Sequence, residues 1–344
     1  MRAFGFRQHG GLDEARILEV PEPVPGPGEV RLRMRVASLN HLDLFTLHGI
    51  EGVPVQTPHV LCGDGMGEVE SLGEGTRGPA PGERVLINPG LSDGTCPACR
   101  RGEEVLCRNY RIVGEHTQGV ASELAVLPST NLIPVPPGLD DIAAGSVALV
   151  FMTAWRALKT TGGLRGGERV AIVGAGGALS TAAIQIAHLL GAHVTVVTRD
   201  PSRGEKARAL GADDVFLLGG AVPLHKGLWE LSGKQGMDLI FDSTGTDTVP
   251  SSVRALARGG RLVFCGATTG PMVQLDLRPL FWRNASVRGS TMGTREELRE
   301  VLSLLSRGRL RAVVDSVVPL EEAPDALRRM DSGAQFGKLA LRIG

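Results

Sequence analysis

The chain has 344 residues, with 37 Lys+Arg against 37 Asp+Glu, so its formal net charge is zero. That length exceeds one ordinary core and suits two domains, and the charge balance argues against a protein built to grip nucleic acid or an anionic membrane. Hydrophobic residues at 42% and charged residues at 22% exclude wholesale disorder, and a single tyrosine, Tyr110, leaves little for aromatic stacking surfaces.

Met1–Arg7 holds no apolar run of signal-peptide length, and no stretch offers ~18 clean apolar residues, so the expectation is a soluble cytoplasmic protein without a membrane partner. Five cysteines are present, and Cys96, Cys99 and Cys107 are clustered. An odd, clustered set fits a reduced thiol or metal site better than a disulfide framework.

In chain order, the first part reads as β-rich. Val30–Val36 alternates Val-Arg-Leu-Arg-Met-Arg-Val, the pattern of a half-buried strand. Shorter strands are expected near Gly67–Leu72, Arg84–Ile87 and Ser122–Leu127, and Pro134–Gly138 reads as a domain edge. Then Glu168–Val173 forms an apolar strand, followed by a glycine cluster, a helix over Ser180–Leu190 and a strand over His193–Val197, together a βαβ unit. Further strands are expected at Asp214–Leu218, Asp238–Phe241 and Arg261–Cys265, with room for helices between, which implies a parallel sheet covered on both faces. The end alternates a helix at Arg295–Ser306, a strand at Val313–Pro319, a helix at Ala323–Met330 and a strand at Lys338–Ile343.

Gly174-Ala175-Gly176-Gly177-Ala178-Leu179-Ser180 sits between the strand and the helix of the βαβ unit. Small residues admit a pyrophosphate to the backbone, and the helix N-terminus offers free N–H groups and a positive dipole end. Gly176, Gly177, Ala178 and Leu179 are therefore candidate cofactor residues. The second strand ends in Thr198-Arg199-Asp200-Pro201-Ser202-Arg203. A hydroxyl at Thr198 with Arg199 and Arg203 suits a 2′-phosphate, because guanidinium makes charge-assisted bidentate bonds to it, and so favours NADP(H) over NAD(H). Asp200 leaves the NAD alternative open, since an acid there would accept from a ribose 2′-hydroxyl.

Cys96, Cys99 and Cys107 supply three thiols for tetrahedral zinc, which takes four ligands. The residue three before Cys96 is Asp93, and a carboxylate ligates at nearly the distance of an imidazole. An Asp-Cys₃ site with one structural zinc per chain is expected; the alternative is a metal-free lobe of reduced thiols.

The β-rich first part with Gly63-Asp64-Gly65-Met66-Gly67, the cysteine lobe near 88–110, Thr153-Ala154-Trp155, the glycine-rich βαβ unit and Gly211-Ala212-Asp213 together resemble the medium-chain dehydrogenase/reductase superfamily, which holds the zinc alcohol dehydrogenases and quinone oxidoreductases. The resemblance spans essentially the whole chain. It implies an α/β fold: a GroES-like β-rich substrate domain over 1–150 and 294–344, and a doubly wound, parallel-sheet Rossmann dinucleotide-binding domain over 151–293.

The resemblance also locates the catalytic zinc ligands of the alcohol dehydrogenases, and this chain departs from all of them. Asn40 stands at a ligand cysteine, Gly63 at the ligand histidine and Leu149 at the last ligand cysteine, while Leu42 replaces the proton-relay hydroxyl. Without a Lewis acid, simple alcohol oxidation loses several kcal/mol of charge stabilisation. The Asn40-x-x-Asp43 pattern looks instead like the quinone-oxidoreductase branch, in which hydride passes from NADPH to a quinone, enone or reactive carbonyl and the nicotinamide carries the hard chemistry.

Asn40 and Asp43 are expected to orient the acceptor or bond to backbone. A tyrosine frequent in that branch is absent, and His116 is the first candidate for proton donor; its alternative is simple packing against Gly114–Gly119. By the same match, His41 and Lys338 lie toward the cofactor phosphates, Thr153 toward the nicotinamide, and Gly266 and Ala267 under the cofactor. A homodimer or homotetramer through Ser286–Met292 is implied. Two rivals remain: an alcohol or aldehyde dehydrogenase using displaced ligands among Cys62, His59 and Asp64, and a non-catalytic NADPH-binding sensor.

Overall fold

A computed structural model describes all residues, 1–344. The chain divides into two compact units, Met1–Leu149 with Thr294–Gly344, and Val150–Gly293.

The first unit is built on the alternation seen at Val30–Val36. That strand runs Glu29–Ser38, with Val30, Leu32, Met34 and Val36 buried. The intervening arginines face acids of the neighbouring strand, as in Arg35–Glu68 at 3.1 Å. It is central to a seven-stranded sheet in the order Leu132–Pro134, Arg84–Ile87, Asp64–Leu72, Glu29–Ser38, Lys338–Arg342, Val314–Pro319, with Leu124–Pro128 also pairing to it. The C-terminal strand Lys338–Arg342 thus lies beside Glu29–Ser38, antiparallel through Ala340↔Ser38, which carries Lys338 to the place where Glu29–Ser38 ends. The core gathers Phe4, Phe6, Leu32, Leu47, Leu61, Ile87 and Leu341. The helix Arg295–Ser306 is stopped at its start by a capping box: Thr294 Oγ1 accepts from Glu297 N–H at 3.2 Å and Glu297 Oε2 accepts from Thr294 N–H at 2.7 Å.

The second unit holds six parallel strands in the order Asp214–Leu217, His193–Thr198, Arg169–Val173, Met237–Asp242, Leu256–Phe264, Ser286–Gly289. Numbered by sequence within the unit this is 3-2-1-4-5-6, the doubly wound order whose switch point lies at the carboxyl ends of the first and fourth strands. Gly174–Gly177 occupies that end of the first strand, followed by the helix Ala178–Leu189.

One expectation is corrected. Pro134–Gly138 is not a domain edge: Leu132–Pro134 pairs with Arg84–Ile87 inside the first unit. The division falls at 149/150, within a helix Asp141–Trp155 that continues as a π-helical turn over Arg156–Thr161. This 21-residue stretch is long and apolar enough to pass for a membrane span, although Asp141, Arg156 and Lys159 leave it no run of ~18 clean apolar residues. It is 72% buried inside the protein, as a core helix is. Small and apolar residues cover it all round, so it lacks the one-sided stripe that would announce a helix.

Candidate active site

In the first unit, strand Glu29–Ser38 delivers the chain to Asn40, which precedes the helix His41–His48. Asp43 reaches back so that its Oδ2 accepts from Asn40 N–H at 2.7 Å, while its Oδ1 accepts from Cys62 N–H at 2.8 Å. The Asn40 side chain turns inward. Its Oδ1 accepts from Lys338 Nζ at 2.7 Å, and its Nδ2 donates to Asp64 Oδ2 at 3.2 Å. Lys338 also donates to Asp64 Oδ2 at 2.7 Å and to Leu39 O at 3.1 Å, and Asp64 Oδ1 accepts from Leu149 N–H at 2.8 Å.

Lys338 is 2% exposed and Asp64 fully buried. An ammonium survives such burial only when paired and hydrogen-bonded, and three acceptors meet its three protons here. Lys338 was expected to face the cofactor phosphates; its protons are spent on Asp64, Asn40 and Leu39 instead, because its strand opens directly beside the end of Glu29–Ser38. Burial raises the Asp43 carboxyl to about 6, against the opposing pull of the Asn40 and Cys62 N–H groups and of Lys338.

These residues do not fit a catalytic zinc. Leu149 offers a backbone N–H, Asn40 an amide already bonded to Lys338, and Gly63 no side chain. A β-carbon on Gly63 would lie 2.6 Å from Val113 O, so the backbone closes that position to any ligand-bearing residue. The displaced set fares no better. Asp64 is committed to Lys338, His59 Nε2 donates to Gly114 O at 3.1 Å, and burial, then Asp43, push the Cys62 thiol well up, away from the thiolate a metal needs.

The turn Ile112–His116 packs on the same segment: a β-carbon on Gly114 would lie 2.7 Å from the Cys62 carbonyl carbon. Ile112 O accepts from both Glu115 N–H and His116 N–H at 3.2 and 2.9 Å, and Gly114 N–H donates to Thr117 O. His116 Nδ1 accepts from Ile112 N–H at 3.2 Å, which leaves the ring proton of the neutral form on Nε2. Burial, then Arg111, lower its pKa. Glu115, which sequence reasoning passed over, is 8% exposed, and its Oε1 lies 3.7 Å from His116 Nδ1. Burial raises its carboxyl to about 7. No spacing rule marks a lone acid beside a histidine, so only its burial singles it out.

Asp93, Cys96, Cys99 and Cys107 come together with their ligand atoms all within 4.8 Å of one another. Cys96 and Cys99 sulfurs are 3.6 Å apart, close to the ~3.8 Å edge of a tetrahedron with metal–sulfur bonds of ~2.3 Å. Asp93 Oδ1 accepts from Cys96 and Thr95 N–H, each at 2.9 Å, and these bonds hold its carboxyl well below the usual range. The donor set fits a closed structural zinc with no position left for substrate.

In the second unit, Gly177 precedes the first turn of Ala178–Leu189. The Arg203 guanidinium covers the turn, with Nη1 2.6 Å from where a β-carbon on Gly176 would stand. Thr198 is buried at its strand end. Asp200 caps the next helix, its Oδ1 accepting from Ser202 N–H at 2.8 Å, and its Oδ2 lies 3.6 Å from Arg203 Nε. Arg199 is exposed and 3.8 Å from Asp247. Thr153 is buried, its Oγ1 3.9 Å from Met292 Sδ. Gly266 and Ala267 follow the strand Leu256–Phe264, and His41, exposed, lies edge-on to Phe45 at 5.3 Å.

A six-stranded doubly wound sheet with a glycine-rich first turn, carried in one chain with a β-rich unit bearing a cysteine lobe, gives the two-domain plan of a GroES-like and Rossmann-type α/β protein. Residues 26–137 match the alcohol dehydrogenase GroES-like domain and residues 178–307 the zinc-binding dehydrogenase domain. The chain is 33% identical to an acryloyl-coenzyme A reductase of Metallosphaera sedula, covering 99% of both. Among solved structures it resembles an NAD-dependent alcohol dehydrogenase (39% identity, TM-score 0.95, 100% of both chains) and a cobalt- and zinc-bound thermostable alcohol dehydrogenase from Pyrobaculum aerophilum (33%, 0.89, 99% of both). The chain belongs to the medium-chain dehydrogenase/reductase superfamily, as an oxidoreductase of the alcohol dehydrogenase and acryloyl-coenzyme A reductase type.

Proposed function

We propose that this protein reduces an electron-poor acceptor (a quinone, an enone, a 2-enoyl thioester or a reactive carbonyl) with NADPH and without catalytic zinc. The observation that carries this is the Asn40–Asp64–Lys338 cluster: Asn40, at one of the positions that resemblance gives to a metal ligand, is committed to a buried Asp64–Lys338 ion pair, and Leu149, at another, gives only its N–H to Asp64. An alcohol has no route to its alkoxide there. An acceptor already polarised needs only orientation and hydrogen bonds to the oxygen that gains charge. The whole-chain likeness to an acryloyl-coenzyme A reductase supports the enoyl thioester among these acceptors.

Residues Gly176–Leu179 would hold the pyrophosphate, Thr198, Arg199 and Arg203 the 2′-phosphate, and Thr153, Gly266 and Ala267 the nicotinamide side. His41 would approach the phosphates. When bound, the dinucleotide supplies the hydride. The Arg203 guanidinium on the glycine turn and the commitment of Asp200 to its own helix and to Arg203 favour NADPH over NADH. In the β-rich unit, Asn40 and Asp43 fix the helix His41–His48 and the Cys62–Asp64 segment on which the acceptor rests, and His116 Nε2–H is the available neutral donor. Asp93, Cys96, Cys99 and Cys107 hold one structural zinc. The outer strand Ser286–Gly289 joins a second copy in a homodimer or homotetramer, and the free thiols suit a cytoplasmic setting.

The test is NADPH oxidation against 2-cyclohexenone, benzoquinone, acryloyl-coenzyme A and simple aldehydes, with and without a chelator. Turnover of the electron-poor acceptors that survives chelation is expected. Alcohol oxidation that a chelator abolishes would defeat the reading, and tight NADPH binding without turnover of any acceptor would make the protein a sensor.

A further inference from the structure

In the second unit the strands His193–Thr198, Arg169–Val173 and Met237–Asp242 run side by side, and Val197, Val173 and Asp242 stand level across them. Arg199 follows the first of these strands and the loop 243–248 follows the third, so two strand spacings, about 10 Å, separate their starting points. The glycine turn follows the strand between them. Arg199 Nη2 nevertheless lies 3.8 Å from Asp247 Oδ2. The ion pair therefore links the two sides of that turn, at the carboxyl ends of a doubly wound sheet, where a dinucleotide binds.

Asp247 is held there by its backbone. Asp242, fully buried, accepts through Oδ1 from Thr244 N–H at 2.9 Å, Gly245 N–H at 3.4 Å and Thr248 Oγ1 at 2.9 Å, and through Oδ2 from Ser252 Oγ at 3.0 Å. Thr246 Oγ1 donates to Gly270 O at 2.8 Å, and Asp247 N–H donates to Thr269 Oγ1 at 3.2 Å. The loop is thus tied at its root and at its tip. The Asp247 carboxylate has Arg199 as its partner and makes no hydrogen bond. Asp200, the acid facing Arg203, differs: its Oδ1 is spent on Ser202 N–H, and it stands at the start of the helix that carries Arg203. Each arginine assigned to a 2′-phosphate therefore faces an acid, but of the two pairs only Arg199–Asp247 joins separate elements, and its side chains are 71% and 51% exposed.

Building on the NADPH reading above, we propose that Asp247 is a specificity-determining residue for the cofactor: it is the counter-charge that a 2′-phosphate displaces from Arg199. A phosphate offers guanidinium a bidentate, charge-assisted acceptor, which one carboxylate oxygen at 3.8 Å does not match. Exchange of partners is therefore favourable, but the attraction between Arg199 and Asp247 is given up in making it. Because the loop is tied by Asp242 and Thr269, Asp247 cannot follow the guanidinium. A dinucleotide with a free ribose 2′-hydroxyl leaves the pair in place. Asp247 thus narrows the margin by which NADPH is preferred over NADH. An exposed ion pair shifts an equilibrium by about fivefold at most, which sets the size of the effect.

The experiment is calorimetric titration of NADPH, NADH, adenosine 2′,5′-bisphosphate and adenosine 5′-monophosphate into wild type, Asp247→Asn, Arg199→Gln and the double variant. Glu230→Gln, at an exposed acid on the helix Leu224–Leu231, controls for the same change of charge elsewhere in the unit. Wild type should bind the bisphosphate more tightly than the monophosphate. Asp247→Asn should tighten the bisphosphate and NADPH by about three- to fivefold while the monophosphate and NADH stay within about twofold. Once Arg199 is Gln, the same substitution should change none of the four. Three results would overturn the assignment while leaving the NADPH preference in place: unaltered bisphosphate binding in Asp247→Asn, a gain shared equally by the monophosphate or by Glu230→Gln, or a full gain that persists without Arg199. A wild type that binds bisphosphate and monophosphate alike, with Arg199→Gln indifferent to both, would bring down the NADPH reading too.

Discussion

Position 63 decides by the want of one carbon. A β-carbon there would meet Val113 O at 2.6 Å, so Gly63→Ala should destabilise the protein by about 1–3 kcal/mol through overpacking, read from urea unfolding. Gly63→His should fail to recruit a second zinc in metal analysis; a second equivalent bound with the fold intact would refute the closed-site account. Asp43 makes a pH prediction. Its folded pKa of about 6 lies above the unfolded value, so the folded state binds the proton more tightly. The stability this adds is complete below about pH 4 and is lost as pH rises through about 6, an effect on the order of 3 kcal/mol. The stability difference between wild type and Asp43→Asn should therefore shrink over that interval; a flat difference would contradict the burial argument. For the cofactor, Arg199→Asp should lower the NADPH-to-NADH ratio of kcat/KM by about tenfold or more, through loss of one charge-assisted contact. An unchanged ratio would remove Arg199 from the 2′-phosphate site.

The regular elements were legible wherever their patterning is one-sided. Val30–Val36 alternates, and the helix Arg295–Ser306 follows Thr294 with Glu297 three residues on, so both stand where spacing puts them. The helix Asp141–Trp155 was invisible because it is apolar on every side, and a buried helix carries no stripe. Leu256–Phe264 begins earlier than the apolar run Arg261–Cys265 because Leu256 pairs with Met237 across an irregular register. The cysteine lobe is the element with an inorganic test. Purified protein should carry one zinc per chain, and Asp93→Ala should lose it and make the 93–107 loop more open to proteolysis, since a metal held by four donors of one loop ties that loop together. Zinc retained at full occupancy in Asp93→Ala would take Asp93 out of the ligand set.

For the whole molecule, the parallel sheet ends in an unpaired outer strand, Ser286–Gly289. The preceding helix Arg278–Arg283 exposes Phe281 at 67% and Trp282 at 70%. An open strand edge beside exposed aromatics is a surface for self-pairing, and a two-fold pairing of copies there is expected. Trp282→Glu with Phe281→Glu should shift the sedimentation of the protein toward monomer; an unaltered profile would place any assembly elsewhere.

Sequence alone determined what is local or carried by nearest neighbours: the βαβ unit with its glycine turn, the alternating strand, the Asp-Cys₃ spacing, and the departures at Asn40, Gly63 and Leu149. The first three depend on residue type and short spacing, which the chain displays directly, and the departures are read through its resemblance to a known family. Only the tertiary structure decided that Lys338, nearly three hundred residues from Asn40, closes a buried pair with Asp64, that Gly63 is shut by Val113 O, and that Glu115 is buried beside His116. Charge compensation, desolvation and close backbone approach are properties of what surrounds an atom, and distant strands supply those surroundings only once the sheet has formed.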